Sequence, residues 1–253
     1  MNKTILAAIL IMVSLKPAAQ AADTTVRSVH IGFSYLLAIF PQSWVQPPIN
    51  AYAEDITPEE VPRSKTIISK GLGKYPETTL KNLLAVYFLR QIKFYGVAYG
   101  GTNSNNTIYL VNEGALKGYT DKYLEQTFHH EFSSILFRNF PSLLDTNQWK
   151  NANRPDFIYN DPENGVGAIR NNQSSQDLDT SFCLKGVLTQ YGGSSVENDI
   201  NTFAQNLFRP DENFWDYVER FPRIGEKTRL LMQFYKRIHP LFTEKYFRNF
   251  EHQ

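Results

Sequence analysis

The hydrophobic pattern changes along this chain of 253 residues, and the order of that change most constrains the fold. Residues 26–37, 93–99 and 107–111 are rich in β-branched and aromatic residues, which favour strands. The last two segments flank a Gly/Asn-rich stretch, so they predict a small antiparallel hairpin with a long loop. After residue 119 the apolar residues recur mainly at helical spacing. Strands that come early and helices that come late favour an α+β fold over a doubly wound sheet.

Four segments have the apolar spacing of amphipathic helices. They are residues 78–91, a helix capped by Thr120 or Asp121 that runs to about residue 137, a helix begun by Ser194 or Ser195 that runs to about residue 208, and residues 225–239. Residues 139–179 are rich in Asn, Asp, Pro and Ser, which predicts a long ordered connection. We expect one domain over residues 22–253, with a mixed α/β part at 22–118 and a mainly helical part at 119–253.

The first 21 residues have the pattern of a secretory signal peptide. Lys3 precedes an apolar stretch at residues 5–15, and Ala19-Gln20-Ala21 matches a small-x-small cleavage site. The apolar stretch is too short to span a bilayer, and an N-terminal anchor is the competing interpretation. We expect an exported protein, periplasmic or secreted, with no stable membrane span after cleavage.

Composition excludes several classes of protein. The chain is 42% hydrophobic and has a formal net charge of +1, so neither extended disorder nor nucleic-acid binding through bulk positive charge is expected. Its one cysteine, Cys183, can form neither an intramolecular disulfide nor a cysteine-based zinc cluster. A thiol nucleophile made by Cys183 with His129 or His130 is a weaker alternative, because the flanking residues are typical of a buried core cysteine.

One predicted helix concentrates reactive polar groups on a single face. Its apolar stripe consists of Leu124, Phe128, Phe132, Ile135 and Leu136. At about 100° per residue, a second face turns away from that stripe and carries Thr127, His130, Glu131 and Ser134. A cleft is expected at this second face. His129 lies on another side of the helix, beside the apolar stripe, where a packing or supporting role is expected.

His130-Glu131-Phe132-Ser133-Ser134 matches part of the HExxH motif of zinc peptidases. In that motif two histidines bind zinc one helical turn apart, and the glutamate is the general base for the zinc-bound water. Ser134 stands at the position of the second histidine, and a neutral hydroxyl is a poorer zinc ligand than an imidazole. The remaining histidines, His30, His239 and His252, have no sequence position that favours replacing it.

The predicted helix after Ser195 supplies acidic candidates for a third ligand. Glu197 and Asp199 lie on opposite margins of its buried stripe, and either carboxylate suits a ligand from a downstream helix. Both acids also have structural interpretations. Ser194 and Glu197 have the spacing of a capping box, and the helix dipole favours an acid at Asp199. The two kinds of interpretation stay open at this point.

With these two segments, residues 92–208 resemble the secreted bacterial zinc-binding metallopeptidases, which are gluzincin-like. That family carries an HEFxH-like helix, then a Tyr-Ala-x-Ser-Ser segment that leads into Glu-Asp-Phe-Ala-Glu. Phe128-His129-His130-Glu131-Phe132 is similar to the first part, and Tyr191-Gly192-Gly193-Ser194-Ser195-Val196-Glu197-Asn198-Asp199-Ile200 is similar to the second. The resemblance implies a gluzincin-like scaffold with a small sheet, an active-site helix and a helical C-terminal part. It implies the following site residues: His130 as zinc ligand, Glu131 as general base, Glu197 or Asp199 as third ligand, and Ser134, His129 and Tyr191 as auxiliary residues.

Two functions follow from the resemblance. The first is an exported zinc metallopeptidase-like hydrolase that cleaves peptide bonds through metal-activated water, with Glu131 as general base. The second is an inactive homologue that keeps the cleft as a module binding a peptide, a glycan or a protein. Zn2+ is the cofactor of the first function and is dispensable for the second. A structural component of the cell envelope is a third alternative. A peptide or protein is the expected substrate or ligand, and no nucleic acid is expected.

Overall fold

The strands of the first half form one sheet in the computed structural model, which describes residues 22–35, 37–161 and 165–251. The expected signal peptide at residues 1–21 lies outside these described residues. The strands are β1 (Thr24–Val26), β2 (Val29–Gly32), β3 (Tyr52–Asp55), β4 (Ala85–Phe94), β5 (Val97–Tyr99), β6 (Gly101–Asn103) and β7 (Thr107–Val111). Their order is β1-β2-β4-β7-β6, with β3 and β5 also paired to β4. Because β4 runs parallel to both β2 and β7, the predicted antiparallel sheet is corrected to a mixed one.

Eleven α-helices accompany the sheet in the described part of the chain. They are α1 (Gln42–Val45), α2 (Val61–Gly73), α3 (Glu77–Leu80), α4 (Asp121–Asn139), α5 (Thr146–Asn151), α6 (Val166–Arg170), α7 (Thr180–Cys183), α8 (Val196–Phe208), α9 (Phe214–Arg220), α10 (Pro222–Ile238) and α11 (Glu244–Arg248). The strands come first and most of the helical residues follow, so the structure is α+β. Among the described helices, none is both long and apolar enough to cross a lipid bilayer.

The three helices predicted after residue 119 are confirmed as α4, α8 and α10. Thr120 caps α4, because its Oγ1 accepts a hydrogen bond from the backbone N–H of Tyr123 at 3.2 Å. Ser195 caps α8 in the same way, through the backbone N–H of Asn198 at 3.2 Å. The cap of α8 is therefore Ser195, and the capping box predicted one residue earlier is wrong.

The helix predicted at residues 78–91 is wrong beyond its first residues. Only Glu77–Leu80 are helical, and Ala85–Phe94 form the central strand β4. β4 pairs with strands on both sides, and both of its faces are covered, so Val86, Phe88 and Leu89 are all buried. A strand that is buried on both faces shows no polar alternation, and its apolar residues also satisfy helical spacing.

Two short hairpins replace the one that the sequence predicted. β4 turns into β5 through Tyr95 and Gly96, whose φ angles of 53° and 74° suit a two-residue hairpin turn. β6 and β7 form the second hairpin, with Asn103 opposite Ile108. The sequence identified the strand-forming segments but not their partners, because register is set by turn geometry and by which face is buried. Within the described residues β6 pairs only with β7, so β6 is an edge strand.

Helix α4 packs against α8 and against the β6–β7 side of the sheet. Its apolar stripe is buried as predicted, and the buried residues are Leu124, Phe128, Phe132, Ile135 and Leu136. Phe128, Phe132, Ile135 and Leu136 belong to the same hydrophobic core as Phe88 of the sheet, Phe203 of α8 and Phe234 of α10. Burying one such large apolar side chain stabilises a fold by roughly 1.5–3 kcal/mol. The stripe therefore fixes the rotation of α4 about its axis and determines where its polar face points.

Candidate functional site

The polar face of α4 opens into a cleft, as the sequence predicts. Two cavities of about 310 Å³ and 410 Å³ share His130, Glu131 and Tyr191 in their linings, and together they form the His130 cleft. The helical residues that line it are Trp44 from α1, Tyr123, Thr127, His130, Glu131 and Ser134 from α4, Val166 and Ile169 from α6, and Glu197, Asn198 and Asn201 from α8. Gly101 of the edge strand β6 lines both cavities. The cleft is therefore bounded by two packed helices and one edge of the sheet.

Burial and one hydrogen bond fix the state of His130. Its Nδ1 lies 2.9 Å from Gln205 Oε1, and Gln205 Nε2 donates to Gln176 Oε1 at 3.3 Å. Gln205 Oε1 is therefore an acceptor, so the imidazole proton is on Nδ1 and the lone pair is on Nε2. Burial lowers the pKa of His130 to about 4, which keeps the ring neutral at neutral pH. Tyr191 stacks on this ring, with 6.0 Å between the ring centres.

Glu131 has an unusually high proton affinity for a carboxylate. Burial raises its pKa to about 7, although the hydrogen bond that Asn103 Nδ2 donates to Oε2 at 2.5 Å acts in the opposite direction. The negative charge of Glu197 raises the pKa further. A carboxyl group with a pKa near 7 exchanges its proton readily at neutral pH, as general acids and bases do.

Arg138 supplies the positive charge beside Ser134. Its Nη1 donates to Ser134 Oγ at 2.9 Å and to Glu197 Oε1 at 3.2 Å. Its Nη2 donates to the Ser104 carbonyl at 2.8 Å and to the side-chain oxygen of Asn103. Ser134 Oγ in turn donates to Glu197 Oε1. The structure therefore places Ser134 and Glu197 in contact, within a network that is centred on a guanidinium.

Asp199 lies outside the His130 cleft, on a different side of α8 from Glu197. Its Oδ2 is 2.5 Å from Lys227 Nζ, and both side chains are completely buried. The same oxygen accepts hydrogen bonds from Trp149 Nε1 at 2.9 Å and from the Tyr159 hydroxyl at 2.6 Å. The interpretation of Asp199 as a metal ligand is corrected, because positions two apart on a helix differ by about 200° and point in nearly opposite directions.

His129 also lies away from the cleft, so its suggested auxiliary role there is corrected. The ring is completely buried and stacks on Phe208, with 5.0 Å between the ring centres. Its Nδ1 lies 2.9 Å from the Tyr75 hydroxyl, and its Nε2 lies 3.7 Å from Glu125 Oε1. The packing role that the helical wheel predicted is confirmed. Cys183, the nucleophile of the alternative thiol site, is also buried in the core.

Two amides of α8, Asn201 and Gln205, belong to the site and were not identified from the sequence. They lie one helical turn apart; Gln205 contacts His130, and Asn201 lines the cleft. Asn201 is 2% exposed, and its Oδ1 has no hydrogen-bond partner among the described residues. The only signal for them is the resemblance described above, because Phe203-Ala204 is similar to the Phe-Ala of the Glu-Asp-Phe-Ala-Glu segment. With this alignment, Asn201 and Gln205 stand at the two glutamate positions of the segment. Glu197 and Asp199, at the start of α8, do not.

The donor set of the cleft does not fit a zinc ion. On its α4 and α8 side it offers one imidazole nitrogen from His130, the amide oxygen of Asn201 and the carboxyl group of Glu131, whereas Glu197 is paired with Arg138. The remaining acid of the lining, Asp177, lines only the second of the two cavities. Protein zinc sites use three or four imidazole, thiolate or carboxylate ligands, and an amide oxygen is a weak substitute. Within the described residues, no group of three or more His, Cys, Asp or Glu side chains is placed to hold a metal ion.

Comparisons of the chain with protein-family models, with curated proteins and with solved structures find no match. A function is therefore inferred from the geometry and chemistry of the His130 cleft.

Proposed function

We propose that this protein is exported and binds peptides in the His130 cleft without a metal ion, as a non-catalytic relative of the gluzincin-like metallopeptidases. The observation that carries the proposal is the position of β6, a sheet edge that lines the cleft beside the polar face of α4. An extended peptide can add to such an edge as a further strand, held by main-chain hydrogen bonds. The sequence pattern of residues 1–21, which is that expected of a signal peptide, supports a location outside the cytoplasm.

The ladder between β6 and β7 determines which groups of β6 point outward. Hydrogen bonds from the N–H of residue 111 to the carbonyl of 100, and from the N–H of 104 to the carbonyl of 107, flank the hairpin. Bonded and non-bonded pairs alternate in an antiparallel ladder, so Gly101 and Asn103 direct their N–H and C=O groups away from β7. These outward N–H and C=O groups are the ones with which a bound peptide can form main-chain hydrogen bonds.

The cavity below this edge can take one side chain of the bound peptide. Its aromatic lining residues are Trp44, Phe94, Tyr95, Tyr99 and Tyr191. Its polar residues are concentrated on the α4 and α8 side. A concave site of about 310 Å³ that combines aromatic walls with a few convergent polar groups is typical of ligand pockets.

A peptide hydrolase is the second candidate, because the pKa of Glu131 is raised to about 7, as a general base requires. Peptide binding without catalysis is favoured because Ser134 and Glu197, the other groups at the site, accept hydrogen bonds from Arg138.

The proposal is tested with an acetylated fluorescent heptapeptide of alternating threonine and valine with a central lysine. Two further versions carry backbone N-methyl groups, one at odd and one at even positions. A strand paired to β6 uses only every second N–H, so we expect one methylated version to bind about tenfold more weakly and the other to bind like the parent. Anisotropy measures the binding, and mass spectrometry measures whether the peptide stays intact.

Equal affinities for the three peptides would contradict pairing to β6, and no binding at millimolar concentration would contradict peptide binding altogether. Cleavage of the peptide that disappears in Glu131→Gln would instead support the hydrolase.

A further inference from the structure

The α4 and α8 side of the His130 cleft presents hydrogen-bond acceptors in excess of donors. Asn201 Oδ1 is buried and has no partner among the described residues, and His130 Nε2 carries a lone pair. Glu131 follows His130 on the same helical face, and its Oε2 accepts a hydrogen bond from Asn103 Nδ2. A buried acceptor is normally paired, so a ligand that fills this place is expected to supply N–H or O–H donors.

The charges around the cleft favour a cationic ligand. The ionisable acids in its lining are Glu131, Glu197 and Asp177, and the described lining contains no Lys or Arg. Arg138 approaches from beside Ser134 and donates to Glu197, so it offsets that carboxylate most directly, and its charge also lowers the pKa of Glu131. An anionic ligand would meet carboxylates and lone pairs with no cation in the lining, and this costs free energy in a partly desolvated site.

Aromatic rings complete the surroundings of these acceptors. Tyr191 stacks on His130, and Tyr99 and Trp44 line the same cavity. The π faces of such rings attract cations that are partly removed from water. The aromatic walls and the hydrogen-bond acceptors of the cleft therefore both favour a cationic ligand.

We propose that the His130 cleft binds a primary ammonium group, with His130 Nε2, Asn201 Oδ1 and the Glu131 carboxylate as its acceptors. The proposal rests on the proposed function, since a bound peptide carries the ammonium group. An ammonium ion has three N–H donors and no acceptor, which matches three acceptors from separate residues. A guanidinium is planar and is better suited to a bidentate carboxylate. A lysine side chain and a peptide N-terminus are the two sources of such a group.

Isothermal titration calorimetry with four peptides separates these sources. The first is the acetylated heptapeptide with central lysine; the second and third replace that lysine by norleucine or arginine; the fourth is the norleucine peptide with a free N-terminus. We expect the lysine peptide to bind at least tenfold more tightly than acetylated norleucine. A matching gain for the fourth peptide instead would assign the site to an N-terminal ammonium group.

Equal binding of the lysine and acetylated norleucine peptides would overturn the ammonium proposal while leaving peptide binding intact. Preference for arginine over lysine would overturn it as well. If none of the four binds, both proposals fail together.

Variants of Asn201 give a second, independent test. Asn201→Leu keeps the branching and the number of heavy atoms and removes the acceptor, so the preference for lysine over norleucine should fall about tenfold. Asn201→Asp keeps an acceptor and adds charge, so it should retain or increase the preference, measured in EDTA. Because Asn201 Oδ1 has no hydrogen-bond partner among the described residues, Asn201→Leu should not lower the melting temperature. Unchanged lysine preference in a folded Asn201→Leu protein would contradict the proposal.

Discussion

The two acidic residues of α8, Asp199 and Glu197, have different roles because they lie on different sides of the helix. Asp199 forms a completely buried ion pair with Lys227, and removing one partner of such a pair typically costs about 3–5 kcal/mol because the other charge is left unpaired. Glu197 is partly exposed and is bound by Ser134 and Arg138 at the cleft. The first acid therefore holds α8 to α10, whereas the second shapes a binding surface.

Because the donor set of the His130 cleft does not fit a zinc ion, we expect that two substitutions are needed to create a zinc site. Ser134→His adds an imidazole one turn from His130, and Asn201→Glu adds a carboxylate on the facing helix. We expect the wild-type protein to carry little zinc after purification without chelator, and the double variant to carry about one ion per chain. Zinc at 100 times its Kd should then stabilise the variant by about 2.7 kcal/mol. Elemental analysis and thermal melts with and without EDTA measure both effects.

Ser134→Ala is the matched control for this pair and should take up no zinc. One zinc ion per wild-type chain would show that the natural donors suffice and would favour the hydrolase. A folded double variant without zinc would show that the three side chains do not converge.

At the scale of elements, the contact between β6 and α4 depends on a missing side chain. A Cβ added at Gly101 would lie 2.6 Å from Thr127 Cγ2 and 3.4 Å from Glu131 Oε1. We therefore expect Gly101→Ala to push β6 away from α4 and to destabilise the protein by about 1–3 kcal/mol, the usual cost of overpacking. Urea unfolding measures this change.

Thr127→Ser removes the crowded methyl group, so it should recover much of that loss when combined with Gly101→Ala. A single Gly101→Ala variant as stable as the wild type would show that β6 is free to shift, and the peptide-binding edge would then lack a fixed position.

The sequence predicted the elements of the site better than their pairing. The polar face of α4 and both helix starts follow from apolar spacing and capping residues, which act locally. β4 was mistaken for a helix because its burial on both faces depends on neighbours far along the chain. Asn201 and Gln205 were missed because amides carry no charge signal. Their importance appears only when α8 packs on α4 and brings Gln205 to His130.

For the molecule as a whole, buried titratable groups make opposing contributions to the pH dependence of stability. Burial lowers the pKa of His129 to about 4, so the unfolded chain binds its proton more readily and stability is lost as pH falls from about 6.5 to 4. Burial raises the pKa of Glu131 to about 7, so the folded chain binds that proton more readily. The stability that Glu131 contributes is then lost as pH rises from about 4.5 to 7.

Two variants should separate these contributions. A difference of about 2.5 pKa units in a buried group corresponds to about 3 kcal/mol at most. Urea unfolding between pH 4 and pH 7.5 measures the free energy of unfolding of each protein. Relative to His129→Gln, the wild type should lose stability as the pH falls. Relative to Glu131→Gln, the wild type should lose stability as the pH rises to neutral. The two side chains lie on different sides of α4, so the double variant should show the sum of the two effects. Parallel pH profiles for the wild type and Glu131→Gln would mean that Glu131 is ionised as easily in the folded protein as in water. That result would remove the argument that the cleft around Glu131 is desolvated, on which its interaction with a ligand depends.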